Sequence, residues 1–71
     1  MLLREVRLKV GLRQVDLANR LGTPQSFVSK YETGERSLDI MELLSICNAL
    51  GLPLTNLIQK LEERLVSKDE T

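Results

Sequence analysis

Apolar residues recur along this chain at intervals of three and four, and four glycines, Gly11, Gly22, Gly34 and Gly51, interrupt the pattern. The segments between them are roughly 10 to 16 residues long, the size of helices rather than strands. Leu3, Val6 and Val10 share one face of the first segment, with Arg4, Glu5, Arg7 and Lys9 off it, which predicts an amphipathic helix. The second helix is expected from about Arg13 to Leu21, on a stripe of Leu17, Ala18 and Leu21. After Gly22, Thr23 reads as an N-cap and Pro24 as the first helical residue, where its missing N–H costs nothing; this third helix runs to about Thr33. Asp39 and Glu42 form a capping box for a fourth helix, with Leu38 and Leu43 as a hydrophobic staple across its start. Its predicted stripe is Ile40, Leu43, Leu44, Cys47 and Leu50. After Pro53, a fifth helix is expected through Leu54, Leu57, Ile58, Leu61 and Leu65 to about Val66, followed by a polar tail, 67–71, that frays. The expectation is an all-α fold of five helices in one domain, residues 1–66, with no repeat and no linker.

Composition narrows this picture. A chain of 71 residues has room for one modest core, and with one Phe and one Tyr that core must be aliphatic. No apolar run reaches the length of a membrane span, and Arg4 and Glu5 stand where a signal peptide needs apolar residues, so a cytoplasmic protein away from membranes is expected. Cys47 has no second cysteine to pair with and is read as a small buried hydrophobe. There is no His, no metal-ligand cluster, no phosphate loop and no nucleophile–base pairing in the sequence, so neither a metal, a cofactor nor an enzymatic activity is expected.

The formal net charge is zero, which is unusual for a protein that binds nucleic acid. The sum hides a division. Residues 1–36 carry seven basic and four acidic groups, and residues 37–71 carry three basic and six acidic groups. The asymmetry puts the positive end in the first half of the chain.

That half contains the informative unit, RQVDLANRLGTPQSFVSKYETG, a helix, a tight turn and a second helix at about residues 13–33. Two short helices that cross steeply need a small residue at the crossing, supplied by Ala18, and a tight turn, supplied by Gly22. Leu17, Leu21, Val28 and Tyr31 supply the packing between them. The opposite face of the second helix presents Gln25, Ser26, Ser29 and Lys30, hydrogen-bonding side chains without an acid among them, suited to base edges and phosphates.

Together with LREVR at 3–7, GLRQVDLANRLG at 11–22, QSFVSKYETGER at 25–36 and LLSICNALGL at 43–52, this unit resembles the lambda-repressor-like, or Cro/C1-type (XRE), helix-turn-helix family. The resemblance covers Leu3 to about Ile58 and implies a compact five-helix DNA-binding domain with the helix-turn-helix at helices two and three. By position, it implies that Gln14 contacts phosphate and supports Gln25, and that Gln25 and Ser26 enter the major groove first. Ser29 and Lys30 follow on the same face, and Thr33 and Arg36 track the DNA backbone. Arg7 and Glu32 match a buried ion pair that ties the first helix to the third. Three positions depart from the family pattern. Arg13 replaces a capping Ser or Thr and is assigned to the DNA backbone instead. Glu35 stands where Lys or Arg is frequent, and Phe27 where a small polar residue is usual. Phe27 has two readings: contact with a thymine methyl in the groove, or partial burial beside the turn.

One such domain grips one half-site, so a two-fold dimer on a palindromic site is expected, with Leu61, Leu65 and Val66 as the seam and Lys60, Glu62, Glu63 and Arg64 as its charged rim. The functional expectation is a sequence-specific transcriptional regulator acting on double-stranded DNA as a homodimer. Two alternatives stand beside it: an antitoxin-like adaptor that also holds a second, different protein, and a helical protein-interaction domain without DNA binding.

Overall fold

The computed structural model describes the backbone of residues 2–69 and the side chains of residues 2–66. Five helices follow in order: α1 (Leu2–Val10), α2 (Gln14–Leu21), α3 (Gln25–Glu32), α4 (Ile40–Leu50) and α5 (Leu54–Asp69). No strand occurs among the described residues. All five helices contribute to one core, with Leu3 and Val6 from α1, Leu17 and Ala18 from α2, Val28 and Tyr31 from α3, Ile46, Cys47 and Leu50 from α4, and Leu57 from α5. α2 and α3 make the closest pair in the bundle, and α4 packs across α2.

The helix ends explain the topology. Gly22 adopts the left-handed conformation (φ 68°), and its N–H donates to the Asn19 carbonyl while the Thr23 N–H donates to the Ala18 carbonyl. This pair closes α2 in a Schellman motif, and it commits Thr23 to the end of α2. The sequence-based start of α3 is therefore corrected. Pro24, extended at ψ 152°, is the N-cap, the helix begins at Gln25, and the Thr23 hydroxyl is buried without a partner. At α4 the capping box is formed as the sequence indicates: the Glu42 N–H donates to Asp39 Oδ1 at 2.8 Å and the Asp39 N–H to Glu42 Oε1 at 3.1 Å. Gly51 then ends α4, and α5 leaves at 105° to it. No single described helix is long and apolar enough to cross a membrane.

Three apolar stripes differ from their sequence-based assignment. Val10 is half exposed, because α1 reaches the core through Leu3, Val6 and Arg7 and Val10 falls past the edge of α2. On α4 the buried residues are Ile46, Cys47 and Leu50, with Leu43 half-buried beside them, and the expected Ile40 and Leu44 are exposed. On α5, Leu57 is buried and Leu54 half-buried, but Ile58 is turned to solvent. α5 also continues to Asp69, beyond the expected end at Val66, so the first part of the expected polar tail is helical; Glu70 and Thr71 lie outside the described residues. Arg64 of α5 donates to Glu5 of α1 at 2.6 Å and links the second half of α5 to the first helix.

Candidate nucleic-acid interface

α3 is anchored by Val28, Tyr31 and Glu32, all buried, so its rotation about its own axis is fixed. The residues left on the outer side are Gln25, Ser26 and Lys30, which are exposed, and Ser29, which is half-buried. Lys30 makes no ion pair among the described residues.

Behind this face runs a continuous polar network. Arg7 Nε donates to Glu32 Oε2 at 2.7 Å and Arg7 Nη2 to Glu32 Oε1 at 3.0 Å. Arg7 Nη1 donates to the Leu12 carbonyl at 2.8 Å. Both side chains are almost wholly removed from water, at 6% and 2% exposure. A buried charge pair of this kind is tolerable only with such complete, bidentate pairing. The hydrogen bonds it donates to Glu32 hold the Arg7 guanidinium above its usual pKa. The network continues outward: Gln14 Nε2 donates to Glu32 Oε1 at 3.1 Å, and Gln25 Nε2 donates to Gln14 Oε1 at 3.4 Å. Because Glu32 accepts only, it dictates which end of the Gln14 amide faces inward. The Gln14 oxygen is thereby turned toward Gln25. An open groove of ≈ 570 Å³ lies alongside, lined by Arg7, Leu12, Arg13, Gln14 and Gln25 among others.

The two arginines that sequence analysis assigns to the DNA backbone are each engaged by a carboxylate. Arg13, at the N-cap of α2, grips Asp16 through Nε and Nη2, both at 3.0 Å, while its backbone N–H donates to Asp16 Oδ2 at 2.9 Å. An arginine cannot accept a hydrogen bond from the helix, so Asp16 supplies the only side-chain half of this cap. Arg36 donates through Nη2 to Glu42 Oε2 at 2.5 Å. Asp16 and Glu42 both titrate below the usual carboxylate range, each chiefly because of the hydrogen bond from its arginine. Thr33, also assigned to the backbone, turns its hydroxyl back to donate to the Ser29 carbonyl at 3.0 Å.

Phe27 is half-buried and packed on the core, which answers to the second of its two readings. Its ring meets Tyr31 edge-on, with centroids 5.6 Å apart, and the Arg36 guanidinium lies 4.9 Å above its face. The loop after α3 is thus pinned to α3 by a cation–π contact and to α4 by an ion pair. Not read from the sequence were Asp16, Glu42 as a partner of Arg36, and Arg20, whose Nη1 donates to the Ala49 carbonyl at 2.9 Å near the C-terminus of α4. The first was detectable in the Arg13-x-x-Asp16 spacing; the other two depend on tertiary contacts.

A family model described as helix-turn-helix matches residues 3–57. The chain belongs to this family, and its XRE character is supported by a solved structure, an XRE-family like protein from Pseudomonas syringae pv. tomato. The two are 48% identical, with a TM-score of 0.83 over 89% of this chain and 77% of the other. The chain is also 32% identical over 65 residues to a protein named propionyl-CoA carboxylase regulator from Cereibacter sphaeroides. That match spans 92% of this chain but only 14% of the regulator. The chain is thus a helix-turn-helix domain of a family concerned with DNA binding and transcription regulation.

Proposed function

We propose that the chain binds double-stranded DNA sequence-specifically as a homodimer on a palindromic operator and regulates transcription in the cytoplasm. Gln25 and Ser26 enter the major groove first, Ser29 and Lys30 follow, and Gln14, Arg13, Thr33 and Arg36 contact the phosphate backbone. The observation that carries this reading is the network from the buried Arg7–Glu32 pair through Gln14 to Gln25. It orders a recognition side chain before DNA arrives, and a preordered side chain loses less conformational entropy on binding.

The dimer reading rests on α5. Leu61, Leu65 and Val66 are 42%, 61% and 57% exposed, so they do not fold back onto their own core. Apolar residues clustered on one exposed helix and rimmed by charge suit a second copy, and two-fold pairing doubles the phosphate contacts available to one 71-residue chain.

Selection of bound duplexes from a random pool, followed by titration of Gln25→Ala, tests the reading. The variant is expected to lose about 1–3 kcal/mol at the selected site and to relax base preference. Unchanged affinity and preference would remove α3 from the groove. A selected site without two-fold symmetry, bound by a monomer in sedimentation, would remove the dimer. Stoichiometric co-purification of an unrelated protein on the Leu61–Leu65 surface would transfer that surface to the adaptor reading.

A further inference from the structure

The arginine clamps have a common construction that the helix-turn-helix alone does not require. In each, the acid is the third residue of a helix, and one carboxylate holds both the backbone N–H of the N-cap and an arginine on the DNA side. Asp16 does this for the Arg13 N–H and the Arg13 guanidinium. Glu42 does it for the Asp39 N–H and the Arg36 guanidinium. Of the three cations assigned to the DNA face, Arg13, Lys30 and Arg36, two are therefore neutralised within the free chain.

We propose that Asp16 and Glu42 are internal competitors for the phosphate backbone, masking Arg13 and Arg36 until DNA displaces them. The inference rests on the assignment of these arginines to phosphate. The arginine side chains are 78% and 47% exposed and their carboxylates 33% and 26%, so both pairs lie at the surface, where ion pairs are weak enough for a phosphate to replace. Displacement leaves neither helix uncapped, because the acid keeps its backbone N–H. For Arg36 the freed guanidinium is not lost to solvent either, since the Phe27 ring continues to hold it at the edge of α3. Breaking the internal ion pair is therefore a cost attached to each phosphate contact. That cost applies to every duplex, whereas base contacts from Gln25 are made only at the correct site, so the competitors suppress random-sequence binding and leave site selection to α3.

The test is titration of a random-sequence duplex over a range of salt with Glu42→Gln. Glutamine at the third helical position preserves the capping box, so the variant is expected to melt like the parent protein. It is expected to bind about two- to fivefold more tightly, the range of an exposed ion pair. Its log affinity should also fall more steeply with log salt, by less than the roughly 0.9 of a whole phosphate contact, because the parent's arginine reaches phosphate only by breaking an ion pair that salt also weakens. In an Arg36→Ala background the same change should have no effect. Asp16→Asn is expected to act likewise, and to be silent beside Arg13→Ala. Unchanged affinity and slope for both variants, or gains that persist without the arginines, would overturn the proposal. If the parent protein fails to bind any duplex at low salt, the DNA-binding reading falls, and this one with it.

Discussion

In α2 and α3 every apolar side chain is buried or half-buried, while α4 and α5 leave Ile40, Met41, Leu44, Ile58, Leu61, Leu65 and Val66 in solvent. The polar groups differ in the same sense. Around α3 they are locked into a charged network that reaches the core, and around α5 the one described ion pair, Arg64–Glu5, is exposed on both sides. The first region is finished within one chain. The second leaves apolar area in solvent, the surface to which the proposed dimer is assigned. The contrast teaches that the buried polar network and the exposed apolar surface lie on different helices, although α2 and α4 are linked through Arg20 and the Ala49 carbonyl.

The sharpest way to break this comparison is to remove a network residue. Glu32→Ala strands the buried Arg7 guanidinium and is expected to cost about 3–5 kcal/mol of folding free energy in urea unfolding. A loss below about 1 kcal/mol would mean that α3 does not depend on the network. A smaller effect of opposite sign is expected at Tyr31, whose buried hydroxyl has no partner. Tyr31→Phe removes that unsatisfied group and should stabilise the fold by roughly 1 kcal/mol. Burial, the first cause, pushes the phenol up from 10.0 to about 12. The unfolded chain therefore releases this proton first, so the contribution is intact below pH 10 and is lost as pH rises toward 12. The Phe variant should lack that alkaline decline. The smallest stability effect belongs to α5. Leu65→Ala should leave folding of the isolated chain within about 0.5 kcal/mol while weakening self-association in sedimentation. Destabilisation comparable to Glu32→Ala would mean that α5 serves its own core after all.

Much of this arrangement was legible in the sequence, and the exceptions have physical causes. The Asp39/Glu42 box and Leu57 were readable because each follows from local spacing. The rotation of α4 was not. Its sequence IMELLSICNAL is apolar around most of its circumference, so periodicity allows more than one buried face. Only the positions of α1, α2 and α5 select Ile46 over Ile40 and Leu44. The start of α3 was misplaced because Thr23 satisfies two local patterns, cap of the next helix and closure of the last, and the Ala18 carbonyl decides between them. Phe27 was left open because its environment is made by Arg36, nine residues away across a loop. The arginine clamps went unread for the same reason that surface ion pairs usually do: a charge pattern gives neighbours but not geometry.

The chain of contacts from Arg7 to Gln25 bears on redesign. Recognition helices are attractive to transplant as patches of outward-facing residues, but here Gln25 leans on Gln14 through an exposed 3.4 Å hydrogen bond, and Gln14 on a carboxylate sealed in the core. Moving Gln25, Ser26, Ser29 and Lys30 into another scaffold would carry the letters without the grammar. A portable version of the proposed specificity has to include Gln14, Glu32 and Arg7 as one unit, and a library that varies only the exposed face would sample side chains whose supporting hydrogen bonds had been chosen for glutamine.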